Sequence, residues 1–140
     1  MHLPLQILAS AQIIEKAAYR TFKPYGLTPA QFNVLNLLAG READNTSGMR
    51  ASDLARQLIV DRSNVTGLIK RMKKEGLLLE IENLQDRRQH VVGLTPKGRE
   101  AWAKVHGVYE KGLAALDAAV PARQRQAVAA ALKCMEKELA

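Results

Sequence analysis

The chain has 140 residues and a mass of 15.4 kDa, a size typical of one domain; 47% of its residues are hydrophobic and 25% are charged. This composition supplies enough apolar side chains for a core and argues against wholesale disorder. The single cysteine, Cys134, excludes an intramolecular disulfide and a cysteine-based zinc cage. No stretch has the ~18 uncharged apolar residues of a membrane span, and the N-terminus lacks the pattern of a secretion signal. We therefore expect a soluble, reduced, cytoplasmic protein.

The excess of basic charge, 21 Lys and Arg against 14 Asp and Glu, is concentrated in the middle of the chain. Residues 61–74 carry one acidic residue, Asp61, and five basic ones: Arg62, Lys70, Arg71, Lys73 and Lys74. A basic helix suits contact with phosphates, because neutralising them releases counterions and drives binding. The common alternative is a solvated helical face, so charge alone favours nucleic acid only weakly.

The first part of the chain predicts two helices. Apolar residues recur at helical spacing over residues 3–22, and Pro24 and Gly26 then break the helix. A second helix begins at the pair Thr28–Pro29, a natural N-cap followed by a proline at the first helical position. Gly40 is expected to follow the end of this helix.

A helix-turn-helix is predicted next. After a polar loop from Arg41 to Met49, with a helical extension at its start left open, Ser52 is placed to cap a short helix. Residues 59–62 leave room only for a tight turn, and a second helix is expected from about Arg62 to Glu75, ended by Gly76. The predicted inner face of this second helix carries Val65, Leu68, Ile69 and Met72. Two short helices in close succession, the second basic on its outer face, match the helix-turn-helix unit.

A β-hairpin is predicted directly after this unit. Apolar and acidic residues alternate over residues 79–82, a polar turn follows, and QHVVGL forms a second short strand. Thr95 and Pro96 then open a long helix, and Pro121 starts the last one. The predicted fold class is therefore mainly α with a small β-hairpin wing (α+β), a winged helix-turn-helix flanked by N- and C-terminal helices.

In a winged helix the second helix of the unit enters the major groove, and the wing lies over the DNA backbone. The residues predicted to contact DNA from this helix are Arg62, Ser63, Asn64, Thr66, Gly67, Lys70, Arg71 and Lys74. Ser63 and Asn64 can hydrogen-bond bases or phosphates, while Gly67 permits close backbone approach. As alternatives, Ser63 caps the helix and Asn64 bonds locally in its first turn.

The order of elements and three segments resemble the MarR family of transcription regulators. The segments are LTPAQFNVLNLLA, ASDLARQLIVDRSNVTGLIKRMKKEGLL and DRRQHVVGLTPKG, and the resemblance covers essentially the whole chain. It implies a wing pattern Asp-x-Arg in which Arg88 reaches the minor groove and Asp86 holds it by a charge-assisted bond. Arg87 is a second candidate for this contact. The alternative for both arginines is a solvated turn.

The resemblance also implies a homodimer in which N- and C-terminal helices interleave. The apolar stripes of residues 3–22 and 113–139 agree, because they exceed what a winged-helix core needs and a two-fold dimer would bury them. We expect one domain over residues 1–140, with a DNA-binding lobe at about 28–98 and a dimerisation region at about 3–24 and 99–139. The expected partner is a near-palindromic double-stranded operator with half-sites about one helical turn apart. The loop from Arg41 to Met49 is longer than the resemblance implies, which leaves the hinging of the lobe open.

The resemblance further implies a repressor that is released from DNA by a small aromatic or anionic effector, and we expect no cofactor and no metal. Such ligands bind between the dimer helices and the DNA-binding lobe in the family that the chain resembles. The candidate pocket residues are Tyr19, Phe22, Trp102 and His106. Core packing is the alternative for each of the four, since aromatic residues at helical spacing are mostly core.

Three further function classes are weighed. Oxidation sensing through Cys134 needs an accessible thiolate, whereas the apolar stripe around it predicts a buried, inert thiol. A protein-assembly module would expose apolar residues on the outer helix, where this chain has polar and basic ones. No enzyme is expected, because the sequence has no glycine-rich phosphate loop, no His-Glu-x-x-His and no nucleophile elbow.

Overall fold

The computed structural model describes residues 2–59, 62–82, 86, 88 and 90–140, and for Arg62 it describes the backbone alone. The regular elements in chain order are α1 (Leu3–Phe22), α2 (Pro29–Ala43), β1 (Met49–Arg50), α3 (Ala51–Gln57), α4 (Val65–Lys74), β2 (Leu78–Glu82), β3 (His90–Leu94), α5 (Pro96–Ala118) and α6 (Ala122–Leu139). Short 3-10 turns lie at Lys23–Tyr25 and Arg62–Asn64. Helices with a small antiparallel sheet confirm the predicted fold class.

The chain divides into two compact units, Met1–His106 and Gly107–Ala140. The first unit contains all the described strands and the buried core. Its fully buried side chains come from α2, α3, α4, the start of α5 and the α3–α4 connection: Phe32, Val34, Leu35, Leu38, Leu54, Leu58, Met72 and Val105. The second unit contains the C-terminal part of α5 and all of α6. Among the described residues, no helix combines the length and apolarity that crossing a membrane requires.

The start of α2 is fixed by a capping box. Thr28 Oγ1 accepts a hydrogen bond from the Gln31 backbone N–H at 3.1 Å, and the Thr28 N–H donates to Gln31 Oε1 at 3.0 Å. Before it, α1 ends at Phe22 and Gly26 adopts a left-handed φ of 70°, as the predicted break requires. Phe22 stacks on Phe32 with 4.7 Å between ring centroids, which packs α1 against α2.

The end of α2 differs from the prediction. The helix does not stop at Gly40 but continues to Ala43, and Asn45 takes the left-handed conformation with φ 56°. Asparagine tolerates this conformation better than other residues with a Cβ, so it ends the helix in place of glycine. The segment from Arg41 to Met49 is therefore partly helical, which is the alternative left open above, and Arg41 Nε donates to the Gly48 carbonyl at 3.4 Å.

The structure contains a strand that was not predicted. Strand β1 pairs antiparallel with β3, with Met49 opposite Val92, and the strand order in the sheet is β1-β3-β2. A strand of two residues is too short to leave an alternating pattern in the sequence. The prediction that Ser52 caps α3 is wrong, because Arg50 occupies the N-cap and Ser52 lies inside the first helical turn.

Strands β2 and β3 form the predicted hairpin. Leu78 lies opposite Leu94, and Glu82 lies opposite His90. A Cβ atom on Gly93 would collide with the Ile81 side chain, so the glycine leaves room for Ile81 of β2 to pack against β3. Only three residues separate the end of α4 from the start of the hairpin, which fixes the wing beside that helix.

Candidate nucleic-acid interface

Helix α4 has one buried and one exposed face, as predicted. Val65, Leu68, Ile69 and Met72 are buried. The predicted contact residues lie on the opposite side or at the N-terminal end: Ser63, Asn64, Thr66, Lys70, Arg71 and Lys74 are exposed, and Gly67 is half-buried. The α-helix begins at Val65 rather than at Arg62, because residues 62–64 form a 3-10 turn. The side chain of Arg62 lies outside the described residues.

The basic residues of α4 differ in their partners. Lys73 forms an ion pair with Glu80 of β2. Lys70, Arg71 and Lys74 form no ion pair with any other described residue. Among the described residues, the charge of Lys73 is thus partly satisfied by Glu80, and those of the other three are not.

The N-terminal end of α4 brings Asn64 and Gly67 together. Asn64, not Ser63, is the N-cap of α4, and its side chain makes no capping hydrogen bond. Asn64 Oδ1 lies 2.6 Å from the position that a Cβ atom on Gly67 would occupy. The absence of a side chain at Gly67 thus leaves space for the Asn64 amide, which keeps its hydrogen-bonding groups at the exposed surface.

Side chains from α2 hold the segment that contains α4. Asn33 Oδ1 accepts a hydrogen bond from the Ile59 backbone N–H at 2.9 Å, just after α3. At the other end, Gln31 Nε2 donates to Glu75 Oε2 at 3.2 Å. These two positioning residues were not predicted. Their signal in the sequence was weak: two amides on a largely apolar helix, next to Phe32.

The end of α4 is also tied to the start of α5. Thr95 Oγ1 donates to the Gly76 carbonyl at 2.5 Å and accepts from the Gly98 N–H at 2.9 Å, which confirms its predicted role as an N-cap. Lys97 Nζ donates to the Glu75 carbonyl at 2.8 Å. These contacts satisfy the backbone carbonyls of Glu75 and Gly76, the two residues that follow α4.

The tip of the wing contains an Asx-type turn. Asp86 Oδ1 accepts a hydrogen bond from the backbone N–H of Arg88 at 3.0 Å. Both residues are exposed. The carboxylate thus holds the backbone of Arg88 in the turn. Arg87 lies outside the described residues.

The charges of α3 are used internally. Arg50 donates to both carboxylate oxygens of Asp53, from Nε at 3.0 Å and from Nη2 at 3.4 Å, and Arg56 also pairs with Asp53. The hydrogen bond from Arg50, together with the charges of Arg50 and Arg56, lowers the pKa of Asp53 against a smaller opposing effect of desolvation. Two basic residues that precede α4 in the chain are therefore engaged with a carboxylate.

The four candidate effector residues occupy different surroundings. Phe22 is a core residue, and Trp102 stacks on His106 at 4.4 Å while its Nε1 donates to Asn36 Oδ1 at 2.9 Å. Tyr19 is exposed and borders a cavity of about 600 Å³, whose lining does not include the other three. The single chain thus places Trp102 and His106 together and Tyr19 at a separate cavity.

Cys134 is exposed, so the predicted burial of its thiol is wrong for the single chain. The stripe of α6 that suggested burial is itself uncovered: Val128 and Leu139 are exposed. Within the described part of the chain, no group of three or more His, Cys, Asp or Glu residues is arranged to hold a metal ion.

Comparison with known proteins identifies relatives of this chain. The sequence profile of the MarR family matches residues 25–89. The transcriptional activatory protein BadR of Rhodopseudomonas palustris is 39% identical over 92 residues, which cover 66% of this chain and 51% of BadR. The homoprotocatechuate degradative operon repressor of Escherichia coli is 26% identical over 115 residues, 79% of this chain and 74% of the repressor. The chain thus spans about half the length of BadR.

Solved structures extend the likeness to the whole chain. The Staphylococcus aureus MepR–DNA complex has a TM-score of 0.84 at 18% identity and covers 100% of this chain and 99% of MepR. The M. tuberculosis transcriptional regulator MosR, solved in complex with DNA, has a TM-score of 0.72 at 25% identity and covers 98% of both chains. Residues 25–89 of the chain thus match the profile of the MarR family, and the whole chain shares the fold of the winged-helix regulators MepR and MosR.

Proposed function

We propose that this chain is a sequence-specific DNA-binding transcription regulator, with a binding rather than a catalytic role. The observation that carries this proposal is helix α4, whose inner face is buried while its outer face presents polar and basic side chains. Lys70, Arg71 and Lys74 have no ion-pair partner among the described residues. A protein-assembly surface would instead be expected to carry exposed apolar side chains there.

In this function α4 enters the major groove. Ser63, Asn64 and Thr66 contact base edges, since hydroxyl and amide groups there can donate to and accept from bases. Lys70, Arg71 and Lys74 contact phosphates, which position the helix without conveying sequence. Arg88, with Arg87 as a second candidate, extends from the wing into the minor groove.

The regulator acts as a homodimer. Support comes from apolar side chains that the single chain leaves uncovered: in α1, Leu5, Leu8, Ile13 and Ile14, and in the second unit, Leu113, Leu116, Val128 and Leu139. A two-fold dimer buries such stripes and presents two copies of α4 to one duplex. The operator is then a near-palindrome with half-sites about one helical turn apart.

We further propose that the protein represses transcription and that a small aromatic or anionic compound releases it. The E. coli relative is named as the repressor of a homoprotocatechuate degradative operon, and a structural neighbour was solved with 2,4-dichlorophenol bound. A ligand can release DNA only by binding the DNA-incompetent arrangement more tightly than the competent one. Tyr19, Phe22, Trp102 and His106 are the candidate residues.

A comparison of two neighbouring lysines tests the assignment of α4. Lys70→Gln is expected to weaken binding to the promoter and to lower the salt dependence, because it removes a phosphate contact in each protomer. Lys73→Gln is the matched control on the same helix, and its effect should be smaller because Lys73 is paired with Glu80. Equal effects of the two variants would contradict the proposed orientation of α4.

Arg88→Ala tests the wing. We expect weaker binding and a reduced preference for a narrow, A·T-rich minor groove, because inserted arginine is attracted by the stronger negative potential there. The measurement is fluorescence anisotropy with operators that differ only in the A·T content of the segment whose minor groove the wing contacts. Binding by the variant equal to wild type at moderate salt would show that the wing assignment is wrong.

Leu116→Glu tests the dimer. A carboxylate placed in a buried apolar interface should shift sedimentation from dimer to monomer. Gln126→Glu, at an exposed position of α6, should leave the dimer intact.

Effector release is tested on the intact dimer–DNA complex with homoprotocatechuate and 2,4-dichlorophenol, using the fluorescence of Trp102, the single tryptophan of the chain.

A further inference from the structure

The C-terminal half of α1 carries a basic face. Lys16, Arg20 and Lys23 follow one another at intervals of four and three residues, so they lie on one side of the helix and its 3-10 extension. All three are exposed, and none forms an ion pair with another described residue. The single acidic residue of α1, Glu15, precedes Lys16 and lies on a neighbouring side.

This basic face borders a surface that continues to α4. The 600 Å³ cavity is lined by Lys16, Tyr19, Arg20, Lys23, Gly26, Leu27 and Thr28. A second cavity of about 290 Å³ is lined by Tyr19, Thr28, Ala30, Ser63, Asn64, Leu68 and Arg71. The two cavities share Tyr19 and Thr28. The basic face of α1 is therefore continuous with the end of α4 that carries the candidate base contacts.

We propose that Lys16, Arg20 and Lys23 form a second phosphate-contact surface, which extends the DNA footprint from α4 onto α1. This inference rests on the proposed function, because it assumes that α4 faces DNA. The occupant is the sugar-phosphate backbone that flanks the half-site, as charge complementarity and continuity with α4 both favour it. Lys16 and Lys23 are separated by about 10 Å along the helix axis, a span comparable with about three phosphates of one DNA strand.

Tyr19 fits the same surface. It lines the first cavity together with Lys16 and Arg20, and it lines the second together with Arg71. A tyrosine hydroxyl can donate a hydrogen bond to a phosphate oxygen, and such contacts fix register without reading sequence. Arg71 then joins the two sets of phosphate contacts into one path.

The surface is compatible with the proposed dimer. The exposed leucine and isoleucine side chains of α1 lie in its first twelve residues, from Leu3 to Ile14, and the basic residues follow them. The N-terminal half of α1 is thus free to pack on a second copy while the C-terminal half contacts DNA.

The test is the salt dependence of binding by the full-length triple variant Lys16→Gln, Arg20→Gln and Lys23→Gln. Each phosphate interaction that is lost lowers the magnitude of the slope of log K against log salt by about 0.9, so losing three in each protomer lowers it by about 5.4. Promoter and random duplex should be weakened by the same factor, because phosphate contacts carry no sequence information. The specificity ratio of the triple variant should therefore equal that of wild type.

The matched control removes the same charge from exposed positions of α6, with Arg125→Gln, Lys133→Gln and Lys137→Gln. Its slope should stay near the wild-type value, and all three proteins should share one thermal midpoint. A triple variant that binds with the slope of this control overturns the inference. The inference is also overturned if the triple variant keeps the wild-type slope but homoprotocatechuate no longer releases it from DNA. The basic face of α1 would then bind a small anion and not the DNA backbone. Wild-type protein that shows no salt-dependent DNA binding overturns the proposed function as well.

Discussion

Asn33 accepts a hydrogen bond from the backbone N–H of Ile59 across 2.9 Å, linking the middle of α2 to the turn that leads into α4. Two residues earlier on the same helix, Gln31 contacts Glu75 at the far end of α4. Helix α2 therefore holds the α4 segment at both of its ends. We therefore expect these two α2 side chains to help set the direction in which α4 presents its outer face.

Replacing Asn33 should separate the role of this contact from simple stability. Asn33→Leu removes the acceptor, which is expected to lower the free energy of unfolding by about 0.5–1.5 kcal/mol and to reduce discrimination between promoter and random duplex. Asn33→Asp keeps an oxygen acceptor and should retain most of both properties. Urea unfolding and competition binding give the two quantities. Full discrimination in Asn33→Leu would show that α4 is oriented by other contacts.

Gly67→Ala should act on DNA binding through Asn64. An added Cβ would stand 2.6 Å from Asn64 Oδ1, so the amide must move away from its present position. Alanine favours the helix by up to about 1 kcal/mol, so the variant should remain at least as stable while losing about 1–3 kcal/mol of base discrimination.

A double-mutant cycle checks this coupling. If Gly67→Ala acts by displacing Asn64, it should have little further effect on discrimination in an Asn64→Ala background. Additive losses in the two single variants would mean that Gly67 acts independently, for example through close approach of its own backbone to DNA.

Two glycines of α5 should respond in opposite ways to alanine. A Cβ on Gly98 would collide with the Leu77 backbone carbonyl, whereas no atom lies within 4 Å of a Cβ on Gly107. Gly98→Ala is expected to destabilise the fold by about 1–3 kcal/mol through overpacking, and Gly107→Ala to stabilise it by up to about 1 kcal/mol. Chemical denaturation of both variants provides the comparison. A neutral Gly98→Ala would mean that α5 can shift away from the start of β2.

The contribution of Asp53 should depend on pH in a defined direction. The hydrogen bond from Arg50 and the charges of Arg50 and Arg56 lower the folded-state pKa of Asp53 below its ordinary value of 3.8. The interaction therefore stabilises the fold above that value, and the contribution is lost as the pH falls through the lowered pKa. The difference in unfolding free energy between wild type and Asp53→Asn should be constant from about pH 7 to about pH 5 and shrink below about pH 4. A difference that grows on acidification would contradict this assignment.

Local signals predicted those parts of the fold that depend on neighbouring residues. Thr28 and Thr95 each cap the helix that a proline opens, and Gly76 ends α4 with a left-handed φ of 78°. The inner face of α4 followed from the spacing of four apolar residues. These features are determined within one or two turns, so the sequence alone contains them.

Features that depend on distant residues were missed. The sequence indicated that α2 ends at Gly40, but the left-handed residue that ends the helix is Asn45. Strand β1 exists through its pairing with β3, more than forty residues away, and Asn33 gains its role from Ile59 across a tertiary contact. The same holds for the basic face of α1, whose proximity to α4 is visible only once Tyr19 and Thr28 are placed in space.

The central claim is tested most directly by binding of the purified protein to the promoter DNA beside its own gene, at several salt concentrations with nonspecific competitor. The account predicts tight, salt-sensitive binding by a dimer to a near-palindrome, at least about a thousandfold tighter than to random duplex. The account would be contradicted if the protein bound that promoter no tighter than random duplex and if a selection of genomic fragments with the protein also yielded no site bound more tightly.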